Sequence, residues 1–366
     1  MKIVVIGPVP PYRGGISHHN SNLIEAISTK DNDILSITFS RLYPKFLYPG
    51  KDDKDVTQST TIDSEPIIDM LNPFSWYRCF QRIAEFNPDK VIFHWWTTYF
   101  VFFYYFISLL LERKNYHKVC ITHNLFPHDS KWFDSLLTKL ALRNFDKFIF
   151  HSKNEELKFQ KLFPQKEHEY FPHPLYDNHL SNRIEKDDAK KKLGISTKKI
   201  VILMFGIIRP YKGLNYLILA MEKLIKVQNN YHLLIAGEFW EPITEYNVRI
   251  NELGISEYVT IHNKYIPEEE VSVYFSATDI FVAPYVGGTQ SGALKIALSY
   301  DIPIVATSII SDEKENDNAN WIVVPPRDSE ALGKAINSIQ LLNTSIQKKY
   351  STWSEFASFL VNSKTL

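Results

Sequence analysis

The chain lacks a charge excess. Among its 366 residues, 41 Lys and Arg are matched by 41 Asp and Glu. Polyanion binding needs a basic surplus, so nucleic acid is a poor partner, although local basic clusters can still hold a small phosphate. Cysteine is nearly absent: Cys79 and Cys120 stand alone. Two thiols give neither a disulfide framework nor a zinc pattern and fit a reducing compartment. Apolar runs of membrane-spanning length are missing too. The longest, YFVFFYYFISLLL at Tyr99–Leu111, reaches roughly two-thirds of the length a bilayer requires. It is apolar on every face, which implies a buried helix, with a membrane-surface contact as the alternative. The opening MKIVVIGPVPP has no basic leader, long apolar core or small-residue cleavage site, and reads as a first strand. Internal repeats and low-complexity segments are absent as well.

What is present is alternation. KIVVIG precedes a helix holding His18 to Ser28, and KVIFHWW, KVCITHN and KFIFHS each precede a helical pattern. A polar stretch, DNHLSNRIEKDDAKKK at Asp177–Lys192, follows Pro172 and Pro174 and reads as a linker. The alternation then resumes through KIVILMFGII, YHLLIAGE, VTIHNKYI, DIFVAPY and IPIVAT. Short β-branched and aromatic strands between helices indicate parallel α/β units. Two doubly wound domains joined near residue 180 account for the pattern. Ligands of such sheets bind beyond the carboxyl ends of the strands, so two facing sheets predict a cleft.

Three glycine-rich turns lie at such ends. Between DIFVAPY and ALKIALSY, Gly287, Gly288 and Gly292 surround Thr289, Gln290 and Ser291, with Lys295 one turn into the next helix. Glycines admit close backbone approach, and a helix start presents unpaired N–H groups with a positive dipole end. The result suits a phosphate, although an ordinary glycine-rich connection has the same wording. FGIIRPYKG places Arg209 and Lys212 at a second edge, where Pro210 biases Arg209 to extended backbone and Gly213 relieves the turn. A fork and a point charge together suit a diphosphate; a solvated basic turn is the plainer reading. GPVPPYRGGIS supplies the third turn, whose glycines lack the dinucleotide spacing.

Histidines gather at strand ends in the first half: His94, His123, His128, His151 and His173. No pair has helical metal-ligand spacing with a carboxylate between, so no metal site is expected. His123 directly follows a strand and is suited to orienting a hydroxyl or carrying a proton, or simply to satisfying backbone groups there.

With these motifs in place, the chain resembles the family 4 retaining glycosyltransferases of the GT-B fold along nearly all its length. GPVPPYRGGIS looks like the family's first glycine loop, which implies Gly15 beneath the donor phosphates. RPYKG at Arg209–Gly213 looks like its diphosphate clamp, THN at Thr122–Asn124 carries its cleft histidine, and AGE and NKYIP match segments flanking the base. The family's two usual glutamates are missing: Gly287 and Lys295 stand at their positions. The TQSG wording is similar to a branch in which Gln290, Ser291 and Gly292 hold the phosphates instead. The resemblance implies two Rossmann-like domains facing each other across a cleft. Residues 1–176 form the acceptor side and 177–349 bind the nucleotide sugar, with a helix at about 350–366 packed back on the first.

It also implies a hexosyltransferase-type, retaining, metal-independent enzyme of surface polysaccharide biosynthesis, without cofactor. A sugar would pass from a nucleotide diphosphate sugar to a glycan or lipid-linked acceptor. Catalytic roles fall to His123, Arg209 and Lys212. Donor contacts fall to Gly15, Gly206, Glu238, Tyr265, Thr289, Gln290, Ser291, Gly292 and Lys295, and the acceptor side to Ser17, Asn124 and His128. A cytoplasmic protein is expected, with a peripheral contact at the inner face of the membrane compatible with it. An inactive nucleotide-binding subunit and a sugar-nucleotide epimerase of the same fold are the alternatives.

Overall fold

The computed structural model describes residues 1–29, 32–44, 50, 52–55, 62–114, 116–127, 131–176, 178–288, 291–310, 320–339 and 350–362. Two compact units divide the chain: Met1–Pro174 with Ser351–Leu366, and Leu175–Tyr350.

The first unit is built on seven strands: β1 (Lys2–Ile6), β2 (Asp33–Arg41), β3 (Glu65–Asp69), β4 (Lys90–Trp95), β5 (His117–Thr122), β6 (Lys147–Phe150) and β7 (Glu167–Tyr170). They pair in the order β3-β2-β1-β4-β5-β6-β7, all parallel. Helices α1 (Gly15–Ser28), α2 (Pro73–Phe86), α3 (Val101–Glu112), α4 (Asp134–Leu142) and α5 (Lys153–Leu162) connect them. β4 is buried at every position, as expected of a strand covered on both faces. Chain order reverses at β1, which lies between β2 and β4. Crevices for ligands open at such switch points, beyond the carboxyl ends.

The second unit repeats the plan. Helix α6 (Lys186–Lys192) leads into β8 (Ile200–Phe205), α7 (Leu214–Val227), β9 (Tyr231–Ala236), α8 (Ile243–Glu252), β10 (Val259–His262), α9 (Glu268–Ser276), β11 (Ile280–Ala283), α10 (Gly292–Ser299), β12 (Ile304–Thr307), β13 (Trp321–Val324) and α11 (Ser329–Ile339). The parallel sheet runs β10-β9-β8-β11-β12-β13, so its switch point lies between β8 and β11. Helix α12 (Trp353–Asn362) belongs to the first unit. Its last carbonyls, those of Leu360 and Val361, accept from the buried Lys90 ammonium, and burial pulls the Lys90 pKa down to about 8.

Three expectations need correction. The polar run read as a linker belongs, over 178–192, to the second unit: it carries α6, fixed there by Lys186 and Lys190, whose amines reach Asp279 at 2.8 and 2.7 Å. α3 is not buried all round, because Phe102 is 65 % exposed while Ile107 and Leu111 on the opposite side are fully covered. One face of α3 therefore packs on the sheet and the other meets solvent. α1 begins at Gly15 rather than near His18, since Gly14 takes φ 115° at its N-cap and leaves Gly15 and Ser17 inside the first turn. Among the described residues, no helix is long and apolar enough to cross a membrane.

Candidate active site

In the second unit the chain leaves β8 through Gly206, at φ 98°, and reaches Arg209 in extended backbone, φ −140° and ψ 158°. That is the restriction Pro210 imposes on its predecessor. Pro210–Lys212 form one 3₁₀ turn, closed by Gly213 at φ 73°. Only glycine fits there, because a Cβ would lie 2.0 Å from the Pro284 carbonyl oxygen. The segment after β11 is held against the same turn: Val286 N donates to the Tyr211 carbonyl at 2.7 Å. Two loops from neighbouring strands thus form one floor at the switch point.

Lys212 lies in this floor and is only 8 % exposed. Its amine makes a long contact of 3.4 Å to the Phe205 carbonyl and stands 5.4 Å from the centre of the Tyr285 ring. Among the described residues it has no carboxylate partner within ion-pair distance. Burial, with the nearby Arg209 charge adding to it, pulls its pKa down. A buried cation without a counter-ion is unfavourable, and an anion docking there relieves it. The Tyr285 hydroxyl, kept neutral by burial with its pKa near 12, lies 3.0 Å from Ser291 Oγ. Ser291 caps α10 by accepting from Leu294 N at 3.3 Å. Lys212, Tyr285 and the start of α10 are therefore linked.

The other residues expected on the donor side fall at ends of the same sheet. Arg209 is half-buried, its guanidinium 5.6 Å from the Tyr211 ring and 5.4 Å from the Trp240 ring. Gly206 and Gly237 cross so closely that a Cβ on Gly237 would meet the Gly206 carbonyl at 2.1 Å. Glu238 follows that crossing, and its carbonyl accepts from Ile208 N at 2.8 Å. Tyr265, beyond β10, and Lys295, one turn into α10, are half-buried. Gly292 opens α10 and is exposed. Thr289 and Gln290 lie outside the described residues.

In the first unit, Gly15 is exposed at the start of α1 with open space around the position of its missing Cβ. Ser17 is buried and its hydroxyl has no partner among the described residues. His123 follows β5, 7 % exposed, and Asn124 beside it is half-buried. His128 lies outside the described residues. His123 is not alone. Its Nε2 is 3.0 Å from Nδ1 of His94, and the His19 ring packs edge-on at 4.7 Å. His151 and His173 complete the group, with ring centres 5.0 and 5.2 Å from that of His19. Burial first, then mutual repulsion, pushes the pKa values of His19 and His123 well below the usual histidine value, and His94 to about 3. All three are neutral imidazoles. His19 escapes the sequence reading because it sits on a helix rather than at a strand end; the HH pair early in α1, after the first switch-point strand, is the signal that was there.

Comparison with known proteins fits this geometry. Residues 199–341 match the family model described as Glycosyl transferases group 1. Anabaena Alr3699/HepE, solved in complex with UDP, is similar with a TM-score of 0.70 and 16% identity, covering 98% of this chain and 94% of that one. The fold is GT-B. Sucrose-phosphate synthase (tll1590) from Thermosynechococcus elongatus shares this GT-B architecture, at a TM-score of 0.69 and 17% identity over 97% of this chain and 92% of that one. In sequence, the lipopolysaccharide core biosynthesis mannosyltransferase LpsB of Rhizobium meliloti (strain 1021) is 25% identical over 131 residues, 34% of this chain. The match spans 36% of that relative's length.

Proposed function

We propose that the chain is a glycosyltransferase that takes a sugar from a nucleotide diphosphate sugar and passes it to a glycan or lipid-linked acceptor of surface polysaccharide. The observation that carries this is Lys212, a buried ammonium without a carboxylate partner among the described residues, linked through Tyr285 to the α10 helix start at a sheet switch point. The diphosphate is the leaving group, and negative charge develops on it as the glycosidic bond breaks. In this reading Lys212, Arg209 and the α10 N–H groups stabilise that charge, the electrostatic work that otherwise falls to a metal. The floor is preassembled by Gly213 and Val286, so little reorganisation accompanies binding. Same-face attack with retention is the expected course, and no enzymic nucleophile is then needed. The UDP complex of the HepE relative and the mannosyltransferase name of LpsB support a nucleotide-sugar donor here.

The decisive experiment is a calorimetric screen of nucleotide diphosphate sugars, followed by a hydrolysis assay on each that binds. Micromolar to millimolar binding with slow release of the sugar supports the reading. Binding without hydrolysis or transfer to any glycan fraction points to a nucleotide-binding subunit, and absence of any binding removes the donor site.

A further inference from the structure

We propose that His19, His94 and His123 form a binding site for a divalent transition-metal ion of the zinc class. One nitrogen from each ring lies within 4.8 Å of the other two, and all three residues are buried. They come from three elements: α1, the end of β4 and the residue after β5. Spacing along the chain therefore gave no metal signature.

The hydrogen bonds around His19 fix its tautomer. His151 Nδ1 faces the Phe171 carbonyl at 2.8 Å, and a carbonyl only accepts, so that nitrogen carries the proton. The neutral ring then presents a lone pair at Nε2, 2.9 Å from His19 Nε2, which must donate. His19 Nδ1 is left as a buried lone pair with no partner among the described residues. His94 Nε2 is likewise without one. The proton shared between His94 Nδ1 and His123 Nε2, 3.0 Å apart, takes up a lone pair of one of the two rings, so ligation by both opens that hydrogen bond. Close by, Asn20 Oδ1 is also unsatisfied. Asn20 and His94 converge on Gly7, where a Cβ would come within 2.8 and 2.9 Å of their side chains. Buried polar atoms normally find partners, so this concentration of orphans points to an occupant.

A metal ion suits the donors. Neutral imidazole is the usual nitrogen ligand for zinc, cobalt and nickel, whereas calcium and magnesium prefer oxygen. Zinc–nitrogen bonds of about 2.0–2.1 Å set ligand nitrogens roughly 3.3 Å apart in a tetrahedron, so the rings must close by up to about 1.5 Å. His151, hydrogen-bonded to His19 and anchored on a backbone carbonyl, is the orienting partner that metal-bound histidines require. A water in the fourth position, acidified by the ion, lowers the net charge of the buried site.

The site lies within the first unit and does not depend on the diphosphate floor, so failure of the transferase reading would leave it standing. The test uses untagged full-length protein, dialysed against chelator and then titrated with Zn(II) and with Co(II). We expect one equivalent of zinc per chain and visible cobalt bands of a four- or five-coordinate ion. His94→Gln and His19→Gln should abolish both at the concentration used, His151→Gln should weaken binding about 10–100-fold, and His232→Gln in the other unit should change nothing. Zinc that binds equally well to the His19→Gln and His94→Gln proteins, or not at all to the wild type, overturns the site and leaves buried water as the occupant. Should a variant fail to fold, X-ray absorption of the zinc-loaded wild type decides: three imidazole ligands sustain the proposal and fewer refute it.

Discussion

Gly213 presses against the carbonyl of Pro284 so closely that no side chain fits between them: a Cβ would stand 2.0 Å from that oxygen. The contact locks the turn after β8, which carries Lys212, to the loop between β11 and α10. Gly213→Ala meets two penalties. Left-handed backbone costs about 1–2 kcal/mol for a residue with a Cβ, and overpacking adds about 1–3 kcal/mol. Gly254→Ala meets only the first, since Gly254 has φ 66° but nothing within 4 Å. Denaturant unfolding should rank the two variants in that order, with loss of nucleotide binding confined to Gly213→Ala. Equal destabilisation would mean that the Pro284 contact relaxes freely.

Lys212→Ala should weaken binding of a diphosphate nucleotide by about 1.5–3 kcal/mol, the range of a charge-assisted hydrogen bond. The folded protein should be no less stable, because removing a buried ammonium that has no carboxylate partner among the described residues relieves desolvation. A calorimetric titration checks the first part and a melting curve the second. Unchanged affinity in the folded variant would take Lys212 out of the site.

The sequence carried the strands that hold the site because those strands are buried on both faces and read as apolar runs. β7 was not legible: its residues Glu167, His168, Glu169 and Tyr170 are polar, and two of them hold Lys147 at 2.7 and 3.0 Å. An edge strand need bury little, so its pattern is weak. Likewise α6 was hidden by its charge, since four of its seven residues are lysines, and what fixes it is a pair of those lysines on Asp279, a contact 89 to 93 residues away in the chain. At the site, RPYKG could be placed by local rules, the X-Pro restriction and a positive-φ glycine, and both are met. The histidine group could not, because four of its five rings lie at the ends of different strands or in the segments after them and the fifth on a helix. Only the strand order brings them together.

Lys295 stands on α10 one turn past the Ser291 cap, half-buried, its N–H bonded to the Ser291 carbonyl at 3.3 Å. A glutamate there would set negative charge beside a helix start arranged for anions. Lys295→Glu should therefore lower nucleotide-sugar affinity, and more so at low salt, where partly exposed charges are less screened. If the position instead awaits a carboxylate to grip the ribose, the variant will bind more tightly. Titrations of both proteins at two salt concentrations separate these outcomes.

The neutral histidines of the first unit make an acid-labile core. Each titrates near pH 6.5 in an unfolded chain, whereas His94 in the fold titrates at about 3 and His19 and His123 lie well below the usual value. Between those limits the unfolded state binds more protons. Stability is then complete above about pH 6.5 and falls as the pH drops toward the folded values, by up to about 1.4 kcal/mol per pH unit for each histidine. His232, held down to about 4 chiefly by burial, adds the same trend in the second unit. Urea unfolding in the presence of chelator, at pH 7.5, 6.0 and 5.0 (above the carboxylate range), should show the decline. His94→Gln should flatten it by about one such increment, since glutamine takes up no proton. A wild-type curve that stays level from pH 7.5 to 5.0 would mean the cluster accepts protons without opening, and the rings would then be solvated rather than sealed.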